Sequence, residues 1–268
     1  MRDFNAPRLF VDNPLVVGAV IAADGTQANY LLNVLRLGPC DNILVFNGRD
    51  GEWLARVSPR GKRGCELVLD SQTRAQEGGP DIDYLFAPLK RSRLDYMVQK
   101  ATELGVARLR PVITRRTVAE RVNLERMRAN AIEAAEQCGI LRVPEVLEPV
   151  KLERVIADWD TARRLIFCDE AANVANPIEA LCRLGQAPRD PTIPGASENV
   201  GSRPVALTQP PSVAVLIGPE GGFDPAERAM LMRQPFALTI SLGPRIMRAD
   251  TAAVAALALV NAVAGDWR

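Results

Sequence analysis

Apolar and polar positions alternate in short runs along the first 72 residues, which is the pattern of β-strands. The turn-forming sequence Asn47-Gly-Arg-Asp-Gly51 separates two of these runs, and Asn-Gly and Asp-Gly pairs in such a place indicate hairpins. The pattern predicts a small β-barrel over residues 1–73, with a Gly- and Pro-containing linker at residues 74–80. The predicted strands are residues 42–46, 52–57 and 65–69.

From residue 81 the apolar runs are separated by segments with a helical period. Leu94, Met97, Val98 and Ala101 lie on one face of a helix predicted for residues 93–105, and a glycine is placed to end it. Strands that alternate with helices favour a parallel α/β sheet. The other predicted elements are strands at 84–87, 109–113, 164–168 and 212–217 and a helix at 123–138.

Residues 185–212 interrupt this alternation. The segment is rich in proline, glycine and serine and has no apolar period. We expect a mobile surface insertion that the core does not need.

Two glycine-bearing turns near the C-terminus, Leu216–Phe223 and Ile240–Arg248, each follow an apolar run and precede a helical segment. Gly218, Gly221 and Gly222 permit positive φ or close backbone approach to a ligand. Neither the dinucleotide fingerprint nor the P-loop pattern is present. The turns predict a pocket built mainly from backbone groups, suited to a small cofactor rich in hydrogen-bonding groups.

The residues after each turn indicate helix starts. Asp224-Pro-Ala-Glu227 has the form of a capping box with proline at the first helical position, so Asp224 and Glu227 are expected to be structural. An Ala-rich helix follows the second turn, with Asp250 or Thr251 as its N-cap. That helix is either a core helix or a subunit interface.

Composition excludes several kinds of chemistry. The chain has no histidine, which removes Ser-His and Cys-His nucleophiles, HExxH zinc sites and an imidazole base. The five cysteines contain no CxxC, so neither a disulfide framework nor a metal site is expected. No secretory signal or membrane-spanning run is visible, and a cytoplasmic location is expected.

Basic residues concentrate between Lys90 and Arg128, where eleven Lys and Arg face four acids, a net charge of +7. Clustered arginines suit phosphate binding. A solvated helix face is the alternative interpretation.

Taken together, these motifs resemble the RsmE family of bacterial ribosomal RNA methyltransferases, a branch of the SPOUT superfamily. The resemblance covers almost the whole chain. It is carried by both glycine turns and by three further motifs: Tyr30-Leu-Leu-Asn-Val-Leu-Arg-Leu37, the segment 90–106 that begins Lys90-Arg-Ser-Arg-Leu-Asp-Tyr-Met, and Glu133-Ala-Ala-Glu-Gln-Cys-Gly139.

The resemblance implies an α/β protein with a C-terminal SPOUT domain, residues 81–268, that has a parallel sheet and a deep trefoil knot. A PUA-like RNA-binding β-barrel precedes it, and the protein is expected to be a homodimer. The implied reaction transfers a methyl group from S-adenosylmethionine to N3 of uridine 1498 in 16S ribosomal RNA of the small subunit.

The resemblance places the cofactor on the loops 216–222 and 241–247, with a third loop near Phe167 and Cys168. Backbone groups are expected to hold the adenine between apolar side chains. The residues expected at the cofactor are Phe167, Leu216, Ile217, Gly218, Pro219, Glu220, Gly221, Gly222, Ser241, Leu242, Gly243, Ile246 and Met247.

The implied chemistry needs little acid–base apparatus, because the sulfonium methyl is already activated. Uridine N3 loses a proton, and an arginine near O2 and O4 stabilises the charge that forms. The catalytic candidates are Arg248, Arg245 and Arg142, with Glu220 or Asp250 as proton acceptor. The expected RNA contacts are Arg8, Tyr30, Arg36, Lys90, Arg91 and Arg93.

Some of these assignments have alternatives. Arg36 and Arg93 also suit intramolecular ion pairs, and Arg245 and Arg248 also suit plain exposure to solvent. Glu220 also suits the role of a satisfied loop acceptor.

Departures from the family pattern keep two other functions open. Asn29 stands where a histidine is usual and Ile140 where an arginine is usual, while Arg142 matches a second basic position. Ala249 and Asp250 replace threonine and glutamate. The alternatives are an RNA-binding or ribosome-assembly protein with weakened catalysis, and a SPOUT methyltransferase acting on transfer RNA.

Overall fold

The computed structural model describes residues 6–61, 64–118, 121–172, 176–182, 184 and 212–267. Apart from Ser212, the predicted insertion at 185–212 lies outside the described residues. The chain forms two compact units: the first holds the described residues up to Gly78 together with Ala131–Val143, and the second holds Gly79–Asn130 and the described residues from Pro144 onward.

The first unit is built on a five-stranded sheet in the order β1-β3-β4-β5-β2. The β1–β3 pair is parallel and the other three pairs are antiparallel. The predicted strands in this region are confirmed, while the closure of the sheet into a barrel stays a prediction. Its elements are β1 (Arg8–Phe10), β2 (Val20–Ala22), α1 (Gly25–Asn29), a π-helical turn (Tyr30–Val34), β3 (Asn42–Phe46), β4 (Glu52–Arg60) and β5 (Gly64–Arg74).

Residues 131–143 belong to the first unit. The sequence pattern predicted that this unit consists of residues 1–73 alone, so this part of the chain was not expected there. The Glu136 carboxylate accepts a 2.8 Å hydrogen bond from the Phe10 N–H. Ala135 and Leu141 form a small buried cluster with Phe46. These contacts join positions about 90 to 125 residues apart along the chain, so local sequence patterns do not reveal them.

The second unit contains a parallel sheet in the order β12-β10-β11-β6-β7-β8, with β9 also pairing with β7. All five residues of β11 are buried, as expected for a strand covered on both faces. The parallel α/β sheet predicted from the alternation is confirmed. Its elements are β6 (Ile82–Phe86), α2 (Arg91–Glu103), β7 (Arg108–Ile113), α3 (Leu124–Cys138, which extends into the first unit), β8 (Glu145–Val146), β9 (Val150–Lys151), α4 (Leu152–Ala157), β10 (Arg164–Cys168), α5 (Pro177–Cys182), β11 (Val213–Ile217), α6 (Pro225–Met232), β12 (Ala237–Ile240) and α7 (Ala249–Ala264).

Helices pack on this sheet through the apolar positions that their period predicts. Leu94, Met97, Val98 and Ala101 of α2 are buried. Tyr84 of β6 is fully buried, and its hydroxyl donates to the Met97 sulfur at 2.7 Å. Removing such large side chains from water is the main stabilising contribution to the domain.

The start of α6 agrees with its sequence signal. The Asp224 side chain accepts from the Ala226 N–H at 2.9 Å, and the Glu227 carboxylate accepts from the Asp224 N–H at 3.1 Å. The predicted capping box is therefore confirmed. The prediction for α7 is wrong, because the N-cap is Arg248 and the helix already begins at Ala249.

In the described part of the chain, no helix is long and apolar enough to cross a membrane. The same residues contain no group of three or more metal-ligating side chains.

Candidate functional site

Three loops meet at one edge of the parallel sheet of the second unit. Strand β10 lies between β11 and β12, and the chain leaves all three strands at their carboxyl ends. The loop after β10 is therefore flanked by the two glycine turns. Such an edge is where open α/β sheets bind ligands.

The first turn is tight. The Gly222 N–H donates to the Pro219 carbonyl at 2.9 Å, and Gly222 has a φ of 67°. A Cβ on Gly218 would lie 2.6 Å from the Phe223 ring. That ring packs edge-on against Phe167, with ring centroids 5.0 Å apart. Glycine at 218 is thus required for packing, and glycine at 222 for backbone conformation.

Two neighbouring arginines in the loop after β7 hold this turn. The Arg116 Nη1 donates to the Gly221 carbonyl at 2.7 Å. The Arg115 N–H donates to the buried Glu227 carboxylate at 2.8 Å, and its guanidinium pairs with Asp224 at 3.2 Å. Sequence reasoning assigned this loop only to a basic stretch and missed its contacts with the turn.

The second turn runs from Ser241 to Met247. Gly243 has a φ of 106° and no atom near its absent Cβ, so its requirement for glycine is conformational. The Ile246 side chain is 84% exposed although it is apolar. An exposed apolar side chain beside a cavity suits contact with a ligand or with another protein surface.

The loop after β10 adds charge to the site. The Asp169 carboxylate is buried and pairs with Arg228 of α6 at 2.7 Å. It also accepts from the Ala171 N–H at 3.1 Å. Burial raises the pKa of the neighbouring Cys168 thiol to about 12, so this sulfur stays protonated at neutral pH.

The three loops and the Arg116 loop enclose a cavity of about 330 Å³ that lies wholly in the second unit. This volume is within the range of small-molecule sites. Its lining consists of Arg116, Cys168, Asp169, Glu170, Ala171, Ile217, Gly218, Pro219, Glu220, Gly221, Gly222, Phe223, Arg228, Leu242, Gly243, Arg245, Ile246, Met247, Arg248, Ala249 and Ala252.

Most of the residues predicted for the cofactor therefore lie together. Phe167 and Leu216 are exceptions, because both are fully buried in the core behind the cavity. Ser241 is also buried and is not in the lining. Asp169, Glu170 and Arg228 line the cavity but were not predicted, and their only sequence signal was proximity to Phe167 and to the capping box.

The catalytic candidates have different surroundings. Arg245 and Arg248 are exposed and line the cavity, and Arg248 lies 3.8 Å from Asp250. Glu220 lines the cavity and pairs with Arg93 of α2. Arg142 belongs to the first unit and is not in the lining, so its role stays a prediction.

The burial of Arg8 contradicts its expected role as an RNA contact. The Arg8 side chain is only 5% exposed and pairs with the buried Glu52 at 3.2 Å, so it has no surface with which to bind a phosphate. Arg93 forms the intramolecular ion pair that was its alternative interpretation. Arg36, Lys90 and Arg91 are exposed, and Tyr30 is half-buried.

Comparison with known families matches both parts of the chain. A model described as an RNA methyltransferase domain matches residues 77–261, and one described as an RNA methyltransferase PUA domain matches residues 23–70. The chain belongs to the RNA methyltransferase domain family. The cavity and all three of its loops lie inside the matched range.

Relatives along the full length agree with this family. A protein of Rickettsia conorii named ribosomal RNA small subunit methyltransferase E is 28% identical, and the match covers 95% of this chain and 94% of the relative. A Synechocystis protein of the same name is 29% identical over 96% of this chain and 78% of its own length. The resemblance indicated by the motifs is confirmed.

Solved structures of the family share this fold. The ribosomal RNA small subunit methyltransferase E of Neisseria gonorrhoeae, bound to S-adenosylmethionine, matches with a TM-score of 0.78 and 25% identity over 98% of this chain and 100% of its own. A putative methyltransferase of Legionella pneumophila in complex with the same cofactor gives a TM-score of 0.78 and 25% identity over 98% of this chain and 99% of its own.

Proposed function

We propose that this protein is an S-adenosylmethionine-dependent methyltransferase that modifies N3 of uridine 1498 in 16S ribosomal RNA of the small subunit. The observation that carries the proposal is the cavity in which the two glycine turns flank the β10 loop. Support comes from its position inside the matched methyltransferase domain and from the related Neisseria structure bound to S-adenosylmethionine.

The donor set of the cavity fits this cofactor. The hydrogen bonds of the described residues leave the N–H groups of Glu220, Gly221, Leu242 and Gly243 without a partner within the protein. Such groups suit the edge of an adenine. The side chains of Leu242, Ile246 and Met247 supply apolar surface beside them, and the buried carboxylate of Asp169 offers an acceptor for hydroxyl groups.

The residues around the cavity suit the uridine. When bound, S-adenosylmethionine supplies a methyl group already activated for transfer, so much of the rate enhancement comes from positioning. Arg245 and Arg248 are exposed cations beside the cavity. Either one near O2 or O4 of the base stabilises the anion that forms when N3 loses its proton.

The finer features of the family belong to this proposal as well. They are a trefoil knot in the C-terminal segment, closure of the five-stranded sheet into a PUA-like barrel, action on the 30S subunit, a cytoplasmic location and a homodimer. Support for the homodimer comes from Ile246, which is 84% exposed, and from the half-buried Leu259 on α7. An exposed apolar side chain at the edge of the cavity suits contact with a second copy of the chain.

In the decisive experiment, the purified protein is incubated with labelled S-adenosylmethionine in two separate reactions. One reaction contains under-methylated 30S subunits and the other contains transfer RNA. We expect label in 16S RNA, located at N3 of uridine 1498 by mass spectrometry of nuclease fragments. Label only in transfer RNA would reassign the substrate. Cofactor binding without label in either RNA would favour a ribosome-assembly role.

A further inference from the structure

Two carboxylates were candidates for the acceptor of the uridine N3 proton, and the structure separates them. Asp250 lies in the first turn of α7, its side chain is 18% exposed, and it accepts from the Thr251 N–H at 3.0 Å. Asp250 is not among the residues that line the cavity. Glu220 lines the cavity and its side chain is 49% exposed.

The Glu220 carboxylate is occupied in the free protein. Arg93, in the first turn of α2, forms an ion pair with it. While this pair holds, the guanidinium lies against the carboxylate oxygen that would have to accept a proton. Removal of the N3 proton by Glu220 therefore requires Arg93 to move away.

Arg93 is placed to find another anion. Its side chain is 34% exposed, and it lies in the first turn of α2, at the end of the helix where Lys90 and Arg91 are also exposed. Guanidinium binds phosphate with the geometry that it uses for carboxylate. An ion pair this exposed contributes little stability, so exchanging one anion for another has a small cost.

We propose that a phosphate of the bound RNA takes Arg93 away from Glu220, and that the released carboxylate accepts the N3 proton of the target uridine. Arg93 is then a positioning residue that couples RNA binding to the chemistry. The inference rests on the proposed function and adds to it a specific proton acceptor and the step that activates it.

The proton and electron pairs balance in this step. The N3–H bond breaks and its proton passes to a Glu220 oxygen. The electron pair left on N3 forms the new bond to the methyl carbon, while the bond between that carbon and sulfur breaks with its pair remaining on sulfur. S-adenosylhomocysteine leaves, and Glu220 returns its proton to water.

The test is a double-mutant cycle on RNA affinity, measured by filter binding to under-methylated 30S subunits. Glu220→Gln frees Arg93, so we expect binding about three- to tenfold tighter than that of the wild type. In an Arg93→Ala background the same substitution should give no gain. In an Arg121→Ala background, which removes an exposed arginine of the same basic stretch, the gain should persist.

Single-turnover methyl transfer with the same subunits supplies the second readout. We expect Glu220→Gln to lower the rate at saturating RNA about 100-fold, the effect of losing a general base. Arg93→Ala should act chiefly by raising the RNA concentration needed for half-maximal rate. A structural ion pair would not produce this split between rate and affinity.

Three results would overturn the inference: no gain in affinity for Glu220→Gln, a gain that persists without Arg93, or equal losses of maximal rate in both single variants. The proposed function fails separately, if the wild-type protein transfers no label to 16S RNA. The binding cycle can be measured in either case.

Discussion

The Nη1 of Arg116 donates a 2.7 Å hydrogen bond to the carbonyl oxygen of Gly221, and this bond ties the loop after β7 to the turn after β11. Because the Gly221 carbonyl and the Pro219 carbonyl are both occupied, the peptide groups of the turn are held in one orientation. An arginine remote in sequence thus fixes the backbone that is proposed to hold the cofactor.

Replacing Arg116 should weaken cofactor binding without unfolding the protein. We expect Arg116→Ala to raise the dissociation constant of S-adenosylmethionine roughly fivefold, since a net hydrogen bond contributes about 1 kcal/mol. Isothermal titration calorimetry measures the change. Arg121→Ala is the matched control, because Arg121 is exposed and does not line the cavity. Equal affinities of the two variants would contradict the role of Arg116.

Two of the three glycines of the first turn, Gly218 and Gly221, should respond differently to replacement by alanine. A Cβ at Gly218 would lie 2.6 Å from the Phe223 ring, whereas one at Gly221 finds its nearest atom 3.8 Å away. We expect Gly218→Ala to destabilise the protein by about 2 kcal/mol, the usual cost of overpacking, and to weaken cofactor binding more than tenfold. Gly221→Ala should leave the free energy of unfolding nearly unchanged. Denaturant titration and calorimetry test both, and a tolerated Gly218→Ala would argue against the tight packing of this turn.

The cysteine in the cavity should be unreactive. Burial raises the pKa of Cys168 to about 12, and only the thiolate reacts with alkylating reagents. At pH 8 the native protein should therefore incorporate iodoacetamide at the exposed Cys40 and Cys182 but not at Cys168. Labelling at Cys168 should increase only as the pH rises towards its pKa. Peptide mass spectrometry gives the site, and rapid native labelling at Cys168 would contradict this environment.

Substitutions of two arginines of the first unit, Arg8 and Arg36, should have different effects: one should lower stability and the other should weaken RNA binding. Arg8→Met removes the 3.2 Å partner of the buried Glu52, which keeps Arg74 at 3.5 Å, and we expect a loss of about 2 kcal/mol in the free energy of unfolding. Arg36 is exposed, so Arg36→Gln should keep stability within about 0.5 kcal/mol. Only Arg36→Gln should weaken RNA binding by folded protein. The reverse result in filter binding would restore Arg8 as an RNA contact.

Local sequence signals predicted the elements next to the site because their causes are local. The capping box at Asp224 and Glu227 depends on residues three apart, and the buried face of α2 depends on helical periodicity. The same logic failed for α7, where an acidic residue in the first turn was taken for the N-cap and Arg248 occupies that position.

The candidate site was predicted in part. The turn glycines were visible because positive φ and close packing restrict a position to one residue type. The contribution of Arg116 was not visible, because it joins positions 105 residues apart through a backbone carbonyl that any residue provides. Phe167 and Leu216 were assigned to the pocket by the family resemblance, whereas the side chains of both residues point into the core of the second unit.

By itself the sequence determined the alternation of strands and helices, the two turns, the absence of histidine chemistry and the resemblance to an RNA methyltransferase family. Only the tertiary structure decided that β10 lies between β11 and β12, that Arg93 pairs with Glu220, and that Arg8 is buried. Strand order and ion pairing depend on contacts between distant residues. Those contacts form only when the whole chain packs, so no local pattern of side chains specifies them.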